Sequence, residues 1–407
     1  MFHASPRIPS LAKYLPEFGW QPIILTPTLG ENPDSRFVPL SEFKKTTRVI
    51  ETKGYSSSYG IKRLTSKKYS KIRPFLKFLY KYYCEIAQYP DAEKGWKPYA
   101  VKAGHELLQN EDIDVIISSS SPVISHLIAK ELKEMHKLPW AAELRDLWTQ
   151  NHNYQYGPLR KLFEKRLELR TLSAADALVT VSSPEAEKLS TLHRGKRIYT
   201  ITNGFDPDKV SDGKANLTSK FTITYTGQIY PKQDPSKLLV ALKGLISDKT
   251  IDTKDIEVRF YGPENVLLTK YMRELGLSNI VKQYGVVPME ISLEKQKESQ
   301  LLLLLKWEDP QERGVYSGKI FEYLAAKRPV LATGGTDDVI TELLNETNVG
   351  IDAKWVEDIK KALGKLYISY KLKDKIVYQG IEEKINKYSY RELARKFAEL
   401  LAKFNAR

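Results

Sequence analysis

The chain has 407 residues, enough for two domains of ordinary size, and its 42% hydrophobic and 28% charged residues describe a globular enzyme, not a disordered segment. One cysteine, Cys84, excludes an internal disulfide and fits a reducing compartment; the longest purely apolar run, Leu301 to Leu305, is too short to span a bilayer, and no targeting segment is visible. The formal charge of +14 calls for anionic partners: nucleotide phosphates, acidic lipid head groups or nucleic acid.

Ser10 to Tyr14 and on to Phe18 suit a helix, and Gly19-Trp20-Gln21-Pro22 leads into a short buried strand, Ile23 to Thr26. In residues 44–83, twelve cations are opposed by Glu51 alone, with tyrosines and phenylalanines interleaved. Such a stretch can lie on an anionic membrane surface, each cation adding about 1 kcal/mol. A solvated helical face packed by its aromatics accounts for it nearly as well. Single-stranded nucleic acid would use the same residue types, but no recognised motif accompanies them, and nucleic acid is not expected as a partner.

After a turn at Pro90-Asp91, the pattern predicts a helix over 96–110, a strand over 114–118, a helix over 123–137 and a strand over 139–143. Glu143, Arg145 and Asp146 then place three ionisable groups at the carboxyl end of a buried parallel strand, where open α/β sheets bind ligands. Asp146 or Glu143 could orient or deprotonate a hydroxyl and Arg145 could face phosphate; an Arg–Asp pair that only structures the loop is the equal alternative. His152, which follows this loop, is a further candidate. A helix over 158–172 is expected to count Leu162, Leu169 and Leu172 among its apolar positions. A strand over 177–181, a helix opened by Ser182-Ser183-Pro184-Glu185 and a strand over 198–201 complete a first domain, residues 1–206, followed by a polar linker over 207–220.

The second domain, residues 221–370, starts with the alternating strand Phe221 to Thr226, then Gly227 and the loop Gln228 to Lys232, then a helix from Asp234. Strands at 257–261, 281–287 and 301–305 alternate with helices, a βα order, and helices near 356–370 and 390–404 end the chain, with residues 371–407 as a C-terminal helical segment. Within it, Gly314 to Thr336 carries the densest signal. Ser317 is a plausible N-cap, and Phe321, Leu324 and Ala325 give the following helix one apolar face, so Glu322 points off it. A helix opening from a small-residue loop leaves unpaired N–H groups and a partial positive charge, which suits a diphosphate, and Lys319 is a mobile cation in the first turn. Arg328-Pro329 stops the helix, Val330 to Ala332 reads as a buried strand, and Thr333-Gly334-Gly335-Thr336 is a loop at that strand's carboxyl end.

Three of these segments carry a resemblance. SGKIFEYLAAKRPVLA is similar to the donor-binding signature of retaining GT-B glycosyltransferases of family 4 (group 1 type); PWAAELRDLW resembles that family's acceptor-side segment, and TNGFD its hinge. The resemblance implies an α/β fold of two Rossmann-like doubly wound domains facing across a cleft, with the last helix crossing back to the first domain. It places the acceptor, with Arg7, Asp146 and His152, in the first domain and a nucleotide sugar in the second. There it implies donor contacts from Gly227, Gln228, Lys232, Val287, Tyr316, Ser317, Gly318, Lys319 and Glu322, with Lys232 and Lys319 opposing the charge of the leaving diphosphate and Asp146, Glu143 and Arg145 as catalytic candidates. Three departures stand out. Gly314 occupies the place of the family's first glutamate, Gln228 replaces its phosphate arginine, and Met1 falls inside the glycine-rich loop, so that the first strand of the first domain is expected to be lacking.

Asp112-Ile113-Asp114 has DxD spacing but precedes its strand, Asp206-Pro207-Asp208 reads as turn chemistry, and the six histidines show no metal spacing. Thr226-Gly227 lacks GxGxxG and no GxxxxGK[ST] occurs, which disfavours a dehydrogenase or a P-loop NTPase. The expected function is a metal-independent retaining hexosyltransferase, without a cofactor beyond its nucleotide-sugar substrate. It would move a sugar to a glycan or lipid-linked acceptor in cell-surface polysaccharide biosynthesis, cytoplasmic and peripheral at the inner membrane face. A catalytically impaired nucleotide-binding scaffold and a sugar-nucleotide epimerase are the alternatives.

Overall fold

Five leucines in a row offer a strand no polar face, and Leu301–Leu305 is accordingly wholly buried in the interior of a parallel sheet covered on both sides. Leu301, Leu303 and Leu305 join one apolar cluster and Leu302 and Leu304 the other, as the two-residue period of a strand requires. The structure, a computed structural model, describes residues 6–28, 40–54, 83, 85–151, 153–154, 156–210 and 216–405. His152, Cys84 and residues 55–82 of the basic stretch lie outside these. The chain divides into two compact units, Met1–Thr202 with Ala394–Arg407, and Asn203–Leu393.

The second unit holds β7 (Phe221–Thr226), α7 (Ser236–Ser247), β8 (Ile256–Tyr261), α8 (Val266–Glu274), β9 (Val281–Gly285), α9 (Met289–Lys297), β10 (Leu301–Leu305), α10 (Gly318–Ala326), β11 (Val330–Thr333), α11 (Val339–Thr347), β12 (Gly350–Ala353) and α12 (Val356–Lys373). Its sheet runs β12-β11-β10-β7-β8-β9, every pair parallel. Numbered from β7, that is the doubly wound order 3-2-1-4-5-6, whose reversal point lies between β7 and β10. α7 and α12 cover one face and α10 and α11 the other.

The first unit holds α1 (Arg7–Tyr14), β1 (Ile23–Pro27), α2 (Leu40–Thr46), β2 (Arg48–Thr52), α3 (Lys97–Asn110), β3 (Ile116–Ser120), α4 (Ile124–His136), β4 (Trp140–Leu144), α5 (Pro158–Leu172), β5 (Ala177–Thr180), α6 (Ser183–Leu192) and β6 (Ile198–Thr200). Among the described residues its strands form two separate parallel sheets, β1-β2 and β3-β4-β5-β6. Leu25 of β1 and Ile116 of β3 nevertheless pack on one apolar cluster with Trp96, Ala100, Ile124, Ile128 and Leu132. The last helix, α14 (Tyr390–Asn405), follows the short α13 (Glu382–Asn386) and belongs to the first unit from Ala394 onward.

Two expectations need correction. β2 lies within the stretch read only as basic and aromatic; its Val49 and Ile50 pair with Ile24 and Leu25. In α5, Leu162 and Leu169 are exposed, and of the three leucines expected on its apolar side Leu172 alone is buried. The buried face of α5 is polar, because it holds the loop that follows β4.

Candidate functional site

In the second unit the carboxyl ends of β7, β8 and β9 are laced by backbone hydrogen bonds, Gly227 N to Tyr261 O at 2.7 Å and Gly262 N to Gly285 O at 2.8 Å. A side chain at Gly262 would stand 2.2 Å from Gly227 O, so this approach requires glycine. Gly227 itself has φ +101°, and a Cβ there would meet Lys319 Cε at 2.7 Å. Lys319 from α10 thus reaches over the start of the loop after β7. Its ammonium lies 5.1 Å from the Tyr225 ring centroid, 5.6 Å from that of Tyr230 and 3.5 Å from Gln228 O. Gly227, Gln228 and Lys319 are therefore brought together.

Ser317 occupies the N-cap position of α10, but its hydroxyl makes no capping hydrogen bond, which corrects the expected cap. The first-turn N–H groups beside Gly318 and Lys319 are not taken up by that side chain, the arrangement that favours an anion. Tyr323 seats the helix on the sheet, its hydroxyl donating to Leu303 O at 3.1 Å. Glu322, half-buried one turn along, accepts from Gln296 Nε2 at 2.9 Å, and the same amide reaches Thr226 Oγ1 at 3.0 Å.

Lys232 is less simple than the sequence implied. It adopts φ +66° and its exposed ammonium is hydrogen-bonded to Asp309, which with the nearby Asp309 and Glu312 charges raises its pKa. The cation chosen for phosphate is thus already paired. Glu312, out of register with the family's first glutamate, is buried and close enough to Lys232 to contribute to that shift. Tyr316 is half-buried against Phe321, ring centroids 5.5 Å apart; burial and then the charges of Glu342, Glu346 and Asp338 raise its phenol. It supports the helix instead of standing in the open. Val287 is half-buried in the loop after β9, beside the more exposed Val286.

Lys306, at the end of β10, was not foreseen. Its ammonium is buried and bonds Thr336 O at 2.7 Å, Thr341 Oγ1 at 2.9 Å and Asp352 Oδ2 at 2.8 Å, with Asp338 Oδ1 at 3.2 Å. Gly334 and Gly335, at φ +77° and +68°, let the loop after β11 close over Lys306 and Glu308, where any Cβ would collide. Nothing in a lysine after five leucines distinguishes this anchor from a solvated strand end.

In the first unit Arg7 and Glu143 are both fully buried and paired, Nε to Oε1 at 2.8 Å; Arg7 also donates to Thr202 O and to Ile201 O, and Ser119 donates to the other Glu143 oxygen. Each satisfies the other's charge inside the fold. Arg145 donates to Ser120 O at 3.0 Å and Ser121 O at 2.9 Å, so it latches the loop after β3. Asp146 is the exposed carboxylate of the group.

The first turn of α6, capped by Ser182, supplies a second carboxyl whose charge interacts with that of Asp146. Glu185 is buried at the start of α6, 3.1 Å from Thr180 Oγ1 at the end of β5. Burial, helped by the Asp146 charge and opposed by Thr180 and Lys188, pushes its pKa up to about 7. A carboxyl whose protonated form is favoured by burial can hold and release a proton near neutral pH. Behind it, His126 Nδ1 lies 2.7 Å from Ser118 Oγ, which also receives the Trp140 indole at 2.8 Å. Asp112 and Asp114 precede β3, at the opposite end of the sheet.

Residues 7–209 match the model of Glycosyltransferase Family 4. No curated protein matches the chain. Among solved structures, the chain is similar to a glycosyltransferase from Rickettsia africae, at TM-score 0.62 and 18% identity over 97% of this chain and 93% of that one. Sucrose-phosphate synthase from Thermosynechococcus elongatus gives TM-score 0.59 and 14% identity over 97% and 92%. HepE of Anabaena, solved with UDP and glucose, gives 0.57 and 13% over 94% and 100%. The chain belongs to glycosyltransferase family 4, and its two parallel α/β units have the GT-B fold.

Proposed function

We propose that the chain is a retaining, metal-independent hexosyltransferase that binds a nucleotide sugar in its second unit and a glycan or lipid-linked acceptor in its first. The observation that carries the donor assignment is the α10 start: uncapped by Ser317, overhung by Lys319 and followed by a carboxylate that Gln296 holds in place. A diphosphate at the helix start would be stabilised by the backbone N–H groups and Lys319, and Glu322 would accept from the ribose hydroxyls. As the bond from the anomeric carbon to the diphosphate breaks and the acceptor oxygen bonds that carbon, Lys319 opposes the charge left on the diphosphate. Asp146, exposed at the carboxyl end of β4, receives the acceptor hydroxyl's proton or orients it. A role in cell-surface polysaccharide assembly, at the inner membrane face, fits the chain's +14 charge.

UDP is the first nucleotide to try, since HepE of Anabaena was solved with UDP and with UDP-glucose. A thermal-shift panel with UDP, GDP, ADP and CMP, repeated on Glu322→Ala, tests the donor site; a ligand well above its dissociation constant raises stability by about 3 kcal/mol. A shift with one nucleotide, absent in the variant, supports the reading, and no shift with any of them in a cooperatively melting sample defeats it. The Lys232–Asp309 pair favours a second reading, a scaffold that binds nucleotide without turnover. That reading predicts the same shift and no nucleotide release from any sugar nucleotide, with or without acceptor.

A further inference from the structure

Helix α5 is built inside out. Arg160, Glu164, Glu168 and Thr171, spaced so as to share one face, are all buried. Glu164 accepts from Arg160 and from the Trp148 indole at 3.1 Å; Glu168 accepts from Thr149 and lies 3.3 Å from His193 Nε2. The inner face is committed to holding the loop after β4. The outside carries exposed apolar side chains, Leu159 at 66%, Leu162 47%, Phe163 56% and Leu169 36%, on one side of the helix with Arg166 and Arg170 among them. Ile86 and Tyr83, 72% and 66% exposed, belong to the neighbouring segment, which Arg160 fixes to α5 through Glu85 O and Gln88 O.

The charges of the outer face all have one sign. The helix has two carboxylates, Glu164 and Glu168, and both are buried, so that the charged groups α5 exposes are Lys161, Lys165, Arg166 and Arg170. Exposed apolar side chains interspersed and flanked by cations on long, snorkelling side chains match a boundary with hydrocarbon on one side and phosphates at its edge. A protein groove would have to supply both an apolar trough and acidic rims.

We propose that the outer face of α5, with Ile86 and Tyr83 of the neighbouring segment, docks on an anionic lipid bilayer with the helix axis in the plane of the interface. This rests on the membrane-associated reading above, but it moves the contact from residues 44–83 to α5.

The test is co-sedimentation of the full chain with vesicles of phosphatidylcholine alone or mixed with phosphatidylglycerol. The variants are Leu162→Ser/Phe163→Ser, Lys161→Gln/Lys165→Gln/Arg166→Gln and, in the other stretch, Lys67→Gln/Lys68→Gln/Lys71→Gln. The altered α5 side chains are exposed, so circular dichroism and melting should stay as in the parent chain. Expected is binding to the mixed vesicles only, weakened at least tenfold by either α5 variant and unchanged by the third. Loss in the third variant alone overturns the α5 assignment while leaving a membrane-bound enzyme. No binding of the parent chain to any vesicle defeats both readings. If the parent chain is a dimer that Leu162→Ser/Phe163→Ser makes monomeric, the face is a contact between copies and the proposal fails.

Discussion

Gln296 Nε2 lies 2.9 Å from Glu322 Oε2 and 3.0 Å from Thr226 Oγ1, so the carboxylate assigned to the ribose is aimed from behind by a fully buried amide. Replacing Gln296 by Leu removes a hydrogen bond to a charged group, an interaction of about 1.5–3 kcal/mol. Nucleotide affinity should fall roughly tenfold to a hundredfold by titration calorimetry, with the unit still folded. Unchanged affinity would show that Glu322 needs no such orientation.

Lys306 makes a second prediction. Its buried ammonium neutralises Asp338 and Asp352 beneath the loop of Gly334 and Gly335, so Lys306→Met leaves those two carboxylates uncompensated. Breaking a buried pair in this way costs about 3–5 kcal/mol, and denaturant unfolding should report a loss of that size. Adding Asp352→Asn should recover part of it, because one of the uncompensated charges is then gone.

The first unit separates two neighbouring carboxylates by environment. Glu143 is enclosed by Arg7 and Ser119, whereas Asp146 is exposed. Glu143→Gln should destabilise the chain by roughly 3 kcal/mol, and whatever folds should retain much of its turnover. Asp146→Asn should leave the melting temperature within a degree or two and reduce kcat a hundredfold or more. The reverse pattern in paired melting and kinetic measurements would exchange the two roles.

How much of this was legible in the sequence depended on whether one element or several carried the information. β7, β10 and α5 have the residue bounds that their runs and breakers predict, because Gly, Pro and apolar period act locally. The α10 segment was legible as a helix opening from a small-residue loop for the same reason. The facing of α5 was not, since its polar residues are drawn inward by Trp148, Thr149 and His193, partners distant in sequence. Gln296 and Lys306 gave no signal, and Glu185 none beyond the opening of its helix, because an isolated Gln, Lys or Glu is ordinarily solvated. Only the fold gives each a buried partner. That Glu143 and Arg7 are buried as a pair was equally illegible, because they are 136 residues apart.

Thr180 leads to the last prediction. Its hydroxyl oxygen lies 3.0 Å from Leu144 O and 3.1 Å from Glu185 Oε2, yet it has a single proton to donate. If that proton goes to the carbonyl, the Glu185 contact is a hydrogen bond only when Glu185 itself is the donor, that is, protonated. The Glu185 pKa is pushed up from 4.5 to about 7, chiefly by burial and then by the Asp146 charge, against a hydrogen bond from Thr180 that lowers it. A raised carboxyl stabilises the fold fully below pH 4.5, and the contribution is lost as pH rises through about 7; it amounts to about 3 kcal/mol. His126 acts in the opposite direction. Burial, then Arg145, lowers its pKa from 6.5 to about 3, so its contribution, up to about 5 kcal/mol, is present above pH 6.5 and lost as pH falls towards 3. Unit 1 should therefore be most stable in mildly acidic solution, with a loss on each side. Urea midpoints measured across that range should show Glu185→Gln flattening the alkaline limb and leaving the acid limb intact. His126→Gln should flatten the acid limb alone. An alkaline limb that survives Glu185→Gln would mean that Glu185 is ionised in the folded chain and that Thr180 donates to it instead of to Leu144.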